Sequence, residues 1–230
     1  MLDGQQAAMR QVYQLQTKHA EAVLKALQAQ VNPHFLYNTL EYIRMSAYVE
    51  GADSLAEFVY DFASLMRRNI SSEKSATLAE EVQFIQTYIR LFQARYPGKL
   101  ELDLMIDPET EDWILPKFTL QPLVENYLVH GIDFAEKGNR ISIESHYEEG
   151  IWRLVIADNG KGIEQEKLDQ LNRKIASVIQ APYALDQSAS SIGLVLVAQR
   201  LSQYFGQETH MKLSTNEQGG VTTWICLRKK

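Results

Sequence analysis

The sequence predicts an α+β protein in two parts: a helical hairpin over residues 1–72, suited to a dimeric four-helix bundle, and an α/β sandwich over residues 73–230. Three observations carry this. The first fifty residues are rich in Gln, Ala, Leu and Glu and hold no glycine between Gly4 and Gly51. From Lys99 onward, runs of apolar period two interleave with runs of period 3.6, the signatures of strands and helices packed on one core. Between these regions lies the polar stretch Asn69 to Ala76, with Ser71-Ser-Glu-Lys-Ser75 at its centre, which reads as a domain boundary.

The first helix is expected from about Gln5 to Glu50. Val12, Leu15, His19, Ala22, Ala26 and Ala29 fall in a three-four rhythm that suits helix pairing. Gly51-Ala-Asp53 ends it, and Ser54-Leu-Ala-Glu57 reads as a capping box opening a second helix. In that helix Leu55, Phe58, Val59, Phe62, Leu65 and Met66 form one stripe. A lone hairpin cannot bury both stripes, so self-association into four helices is expected. A second capping box, Thr77-Leu-Ala-Glu80, opens a helix with Leu78, Val82, Ile85, Ile89 and Phe92 on one face, ending near Tyr96-Pro97-Gly98. Lys99 to Ile106 alternates as a half-buried strand. Phe118 to Gly131 reads as a helix burying Leu120, Leu123, Val124, Tyr127 and Leu128. Arg140 to Tyr147 and Ile151 to Ala157 are strands joined at Glu148-Glu-Gly150. A helix over Gln165 to Ile179 leads to a mobile segment through Gln187 to Ser191. A last helix over Ile192 to Phe205 precedes a hairpin, Thr209 to Leu213 and Val221 to Leu227, turning at Gly219-Gly220. Trp113, Trp152 and Trp224 are assigned to core or sheet packing, and His19, His146 and His210 to structural or solvated positions.

Composition limits the function. A net charge of -6 and no Lys/Arg cluster beyond Arg228-Lys229-Lys230 argue against a general nucleic-acid binder. One cysteine, Cys226, excludes an intrachain disulfide framework and a multi-cysteine zinc site, which fits a reducing compartment. No apolar run reaches the length of a membrane span.

Four places carry chemistry. His34 follows Pro33 directly, inside Gln28-Ala-Gln-Val-Asn-Pro-His-Phe-Leu-Tyr-Asn38. Proline lacks an amide donor and crowds the preceding turn, so a bend there would present the imidazole, which near pH 7 is nucleophilic enough to attack phosphorus. Asn126 and His130 stand one turn apart, on the side away from the apolar stripe. A carboxamide oxygen facing a cleft is a suitable ligand for Mg²⁺, a hard ion that prefers oxygen donors and keeps substrate phosphates. Asp158-Asn-Gly160-Lys-Gly162 follows a strand, putting a carboxylate where it accepts from an exocyclic amine, with glycines that permit close backbone approach. Ser191-Ile-Gly193-Leu leads into a helix whose first amides suit an anion.

In this order the motifs are specific. Leu120-Gln-Pro-Leu-Val-Glu-Asn126 with His130-Gly131, then Asp158 to Gly162, then Gly193-Leu194 with Arg200-Leu201, resemble the N, G1 and G2 boxes of the GHKL (Bergerat) ATP-binding fold. Gln28 to Asn38 resembles the phosphoacceptor box of sensor histidine kinases of the LytS/YesM-like branch. Leu78-Ala-Glu-Glu81, Tyr88-Ile, Arg95-Tyr96 and Ile114-Leu-Pro116 are similar to that branch's link between its two domains, so the likeness runs from residue 28 nearly to the end.

The resemblance implies a two-component kinase that autophosphorylates on His34 from ATP and Mg²⁺ and passes the phosphoryl group to an aspartate of a response regulator. Residues 1–72 would be the dimerisation and phosphoacceptor domain, and 73–230 the catalytic domain. Asn126 would ligate the metal, Asp158 would read adenine, and His130, Gly160, Gly162, Ile163, Gly193 and Leu194 would surround the nucleotide. Asn38, one turn after His34, would orient the ring while solvent takes the proton. The residues between Gly162 and Gly193 would form the ATP lid. The whole would be a cytoplasmic portion of a membrane-anchored sensor. Two positions depart from the pattern: Ser191 stands where the G2 box usually begins with Gly, and Leu196 where an Asn is common. Where hydrolysing relatives of the fold carry a water-activating Glu, this chain has Pro122, which favours transfer to a side chain. The competing readings are an ATP-binding dimeric scaffold and a response-regulator phosphatase.

Overall fold

The structure, a computed structural model, describes residues 33–71, 73–135, 138–182, 192–206 and 208–228. They divide into two compact units, one ending at Ile70 and one beginning at Ser71. The pairing seam expected over Val12 to Ala29, the bend expected before Pro33, and the mobile segment through Gln187 to Ser191 lie outside the described residues.

The first unit contains α1 (Pro33–Val49) and α2 (Asp53–Ile70). Gly51, with φ of +72°, makes the turn between them, a conformation that glycine adopts without the steric cost of a Cβ. α2 begins at Asp53, one residue before the expected capping serine, because the Ala52 carbonyl already accepts from the amides of Leu55 and Ala56. Ser54 therefore sits inside the first turn. The predicted stripe on α2 divides in two. Val59 and Leu65 are buried, whereas Leu55, Phe58 and Phe62 remain 50%, 39% and 40% exposed.

In the second unit β1 (Ser75–Thr77) leads into α3 (Leu78–Arg95), whose start is the capping box that the sequence predicts. The Thr77 hydroxyl accepts from the Glu80 amide at 3.1 Å, and the Glu80 carboxylate accepts from the Thr77 amide at 2.9 Å. β2 (Leu100–Ile106) follows, then β3 (Ile114–Pro116), which pairs antiparallel with β1 in a small separate sheet absent from the expected elements. Next come α4 (Gln121–Asn126) and one wide π turn (Tyr127–Gly131). β4 (Asn139–Glu148) and β5 (Ile151–Asp158) form the expected hairpin. Glu149 and Gly150 turn it with φ of +51° and +79°, the two positive angles of a tight type I′ connection. α5 (Gln165–Gln180), α6 (Ile192–Phe205), β6 (His210–Thr215) and β7 (Val221–Arg228) complete the unit.

The main sheet has the order β2-β4-β5-β7-β6, parallel only between β2 and β4. Alternation decides its faces. Ile141, Ile143, Trp152, Leu154, Ile156, Leu213, Ile225 and Leu227 are buried on one side, while Glu101, Arg140, Arg153, Lys212 and Trp224 face outward. Each large buried aliphatic side chain contributes about 1.5–3 kcal/mol. Trp113 stacks on fully buried Trp152 at 4.7 Å between ring centroids, as packing residues should. Trp224 instead lies on the open face at 45% exposure, its indole N–H donating to Ser214 at 3.2 Å.

The helix expected from Phe118 starts only at Gln121. Phe118 has φ of +61°, outside any helix, and the amides of Leu123 and Val124 both reach back to the Leu120 carbonyl. Pro122 then occupies the first turn, where its missing N–H costs nothing. All five residues predicted to be buried here, Leu120, Leu123, Val124, Tyr127 and Leu128, are buried.

Candidate functional site

A cleft of about 740 Å³ opens in the second unit, with α4 and the π turn on one side and the start of α6 on another. Asn126, His130, Asp158, Gly162, Ile163, Gly193 and Leu194 line it, so seven of the predicted nucleotide-site residues meet in one place. Gly160 is not among the lining residues and packs against Gly131. His34 and Asn38 belong to the other unit.

The π turn shapes one wall. The Ile132 amide donates to the Tyr127 carbonyl five residues back, widening the helix where Asn126, Val129 and His130 reach the cleft. The turn is closed by backbone contact with the loop after β5, since the Lys161 amide donates to the Gly131 carbonyl at 3.0 Å. Tyr127, 2% exposed, donates from its hydroxyl to the Asn159 side-chain oxygen at 3.2 Å. Burial first, and then the Asp158 charge, hold the Tyr127 phenol far above its ordinary pKa, so it stays a neutral donor.

Asp158 sits at the end of β5. One carboxylate oxygen accepts from the amides of Gly160 at 2.8 Å and Val221 at 3.3 Å. Its backbone carbonyl accepts from the Asn216 amide group at 2.8 Å, and Asn216 in turn accepts from the Gly220 amide at 3.0 Å. Burial pushes the Asp158 carboxyl above the usual carboxylate range, and the two backbone donors oppose that shift. The result is a part-buried carboxylate oriented by one oxygen, with the other available to a ligand in the cleft.

The chain's own packing requires the glycines of this loop. A Cβ on Gly160 would come within 2.7 Å of the Gly131 carbonyl oxygen, and one on Gly162, whose φ is +69°, would strike the Gly219 carbonyl oxygen. The chain itself fills that space. Gly193 meets only Pro122 Cβ at 3.5 Å, ordinary contact, and is compatible with an approaching ligand. Gly162→Ala is therefore expected to lower stability by about 1–3 kcal/mol through strain and overlap even without ligand. Urea unfolding checks this, and an unchanged midpoint would count against it.

Asn126 lines the cleft with no side-chain hydrogen-bonding partner among the described residues, the state expected of a carboxamide held ready for a ligand. Among the described residues there is no group of three His, Cys, Asp or Glu that could hold a metal. In the first unit, the exposed His34 is paired with Asn38, whose amide nitrogen lies 3.3 Å from Nδ1 and 3.4 Å from Nε2. The amide spans the ring edge without selecting one nitrogen.

Sequence reasoning missed the hub around Asp158. Asn216 and Val221 are about sixty residues away along the chain, and only the hairpin of β6 and β7 brings them to it. Gly220 packs against the Asp158 carbonyl, so the Gly219-Gly220 pair that signalled a turn also marks this contact. Lys167, near the start of α5, lines the cleft without any motif to announce it.

Comparison with known proteins agrees with this geometry. Residues 22–100 match the family model described as histidine kinase, and residues 117–230 the model for histidine kinase-, DNA gyrase B-, and HSP90-like ATPases. The chain is 29% identical to Sensor protein LytS of Bacillus anthracis, over 91% of this chain and 34% of that protein. It is 30% identical to Sensor histidine kinase YesM of Bacillus subtilis, over 90% of this chain and 33% of that protein. Against Sensor histidine kinase/phosphatase LytS of Staphylococcus aureus the identity is 29%, over 90% and 34%. The chain spans about a third of the length of these relatives. Among the described residues no helix is long and apolar enough to cross a membrane. With both family models matched in order along it, the chain belongs to the sensor histidine kinases of the LytS/YesM-like branch and carries their ATP-binding domain.

Proposed function

We propose that this chain is the kinase core of a two-component sensor: ATP bound in the cleft phosphorylates His34, and the phosphoryl group then passes to an aspartate of a response regulator. The convergence of Asn126, Asp158, Gly162 and Gly193 on one cleft carries the reading. In it, the outer oxygen of Asp158 accepts from the adenine amine, and Asn126 with Mg²⁺ holds the phosphates. Mg²⁺ supplies neutralisation of the phosphate oxygens. The protein's task is to bring the γ-phosphoryl in line with an imidazole nitrogen, so catalysis is mainly positioning and electrostatics. His34 is exposed on α1 and Asn38 stands at hydrogen-bonding distance to steer its ring. The boundary near residue 72 separates the phosphoacceptor unit from the catalytic one.

The exposed half-stripe of Leu55, Phe58 and Phe62 supports a homodimer, because a second hairpin would cover it and close a four-helix bundle. In this reading the chain is a cytoplasmic portion of a membrane-anchored sensor, and it spans about a third of the length of the relatives that it matches. Pro122, which lines the cleft, stands at the position where hydrolysing relatives of the fold carry a water-activating Glu. Transfer to His34 should therefore outrun transfer to water. Steady-state ATP hydrolysis measured beside phosphohistidine formation tests this, and hydrolysis exceeding phosphohistidine turnover would contradict it. A second reading, phosphatase activity toward the partner's phospho-aspartate on the same helical unit, is favoured by the name of the Staphylococcus aureus relative and is compatible with the first.

A further inference from the structure

Two charged side chains converge on the turn that precedes α4. Glu81 on α3 is 1% exposed, and its two carboxylate oxygens each accept from a backbone amide of the turn: Phe118 at 3.0 Å and Leu120 at 3.0 Å. Arg200, on α6, donates from its two terminal nitrogens to the carbonyls of Lys117 and Phe118, both at 2.8 Å. Burial lowers the Arg200 pKa and the nearby Glu81 charge raises it again. Phe118, at the centre, holds a φ of +61° and packs edge-on against Phe84 of α3 at 6.1 Å between centroids. A bulky residue in the left-handed region persists only where its surroundings over-determine it. Here four charge-assisted hydrogen bonds do so, and such bonds are about twice as strong as neutral ones.

The position of this clamp gives it a consequence beyond stability. The turn runs directly into α4, which carries Asn126 to the cleft, while α6 opens with Gly193 and Leu194 on the other wall. We propose that Glu81 and Arg200 are positioning residues for the nucleotide site, fixing α4 relative to α6 and so setting where Asn126 meets the phosphates. Neither residue lines the cleft, so both act through the backbone they hold. Asp158 ends β5, and its partners lie in the loop after it, in the turn between β6 and β7 and at the first residue of β7, outside the clamp, so the adenine end should be insensitive to it. The inference rests on the nucleotide reading of the cleft.

The test compares Glu81→Gln, Arg200→Lys and the double variant with the parent, titrating each with adenosine and with a non-hydrolysable ATP analogue in Mg²⁺, after circular dichroism has confirmed folding. In each single variant the affinity for the Mg²⁺-bound analogue should fall about tenfold while that for adenosine stays within about twofold. The double variant should lose little more than either single one, because both act on one turn. Parallel loss of both ligands, no loss of either, or multiplying effects in the double variant would overturn the assignment. If Glu81→Gln does not fold, Arg200→Lys, which keeps the charge but loses the two-carbonyl fork, decides alone. A parent chain that fails to bind adenosine removes the nucleotide reading and this inference together, whereas a parent that binds with variants that lose both ligands alike removes only the inference.

Discussion

Asp158→Ala is expected to weaken ATP binding by about 10- to 100-fold, the loss of one hydrogen bond to a charged, part-buried acceptor together with the order it imposes. The same carboxylate gathers the amides of Gly160 and Val221, so its removal frees both the loop after β5 and the start of β7. Asp158→Asn separates the two effects. Its side-chain oxygen can still take the two amides, while its nitrogen faces the adenine amine donor to donor. Equal losses in Ala and Asn variants would place the effect at the adenine, and a much smaller loss in Asn would place it in loop order. pH adds a second signature. Because burial raises the folded carboxyl above its ordinary value, affinity should decline on acidification at a higher pH than an exposed aspartate would dictate. The stability sign is opposite. With a folded pKa above the unfolded one, the native state holds its proton longer, so this group's contribution to stability falls as pH rises through that window. Calorimetric titration of ATP across pH 4 to 7 checks the first trend and urea unfolding over the same range the second.

Asn126→Ala should show the reverse selectivity. Adenosine affinity should remain within a factor of about two, since Asn126 lies on the phosphate side and Asp158 is untouched, whereas phosphoryl transfer in Mg²⁺ should drop by about 100-fold, as when one electrostatic contact in a transition state is removed. Raising Mg²⁺ should restore part of the rate, because the ion retains its phosphate and water ligands. A variant with unaltered Mg²⁺ dependence would show that Asn126 is not the ligand.

Much of this site was legible in the chain, for identifiable reasons. Residues that are adjacent in sequence and serve one local structure announced themselves: the Thr77 and Glu80 capping box, the Glu149-Gly150 turn, the stripe of Leu120, Leu123, Val124, Tyr127 and Leu128. The order of the Asn126, Asp158 and Gly193 motifs located the cleft. What escaped depended on contacts between distant segments. The helix before Asn126 was read three residues too long because its apolar period continues back through Phe118, and only the pull of Glu81 and Arg200 shows why the backbone reverses hand there. Local sequence also does not show that Gly131 and Gly219 occupy the space beside the glycines at 160 and 162. The spacing of Ser54 and Glu57 reads as a capping box, yet Ala52 closes the first turn with its carbonyl.

The central claim is that His34 receives the γ-phosphoryl group of ATP. Incubating the chain and its His34→Gln variant with γ-labelled ATP and Mg²⁺, then challenging the labelled protein with acid and with base, tests it most directly. The account predicts a label that is acid-labile, base-stable and absent from the variant, the behaviour of a phosphorus–nitrogen bond on that imidazole. Nucleotide binding without any such label would contradict it and leave an ATP-binding scaffold as the better description.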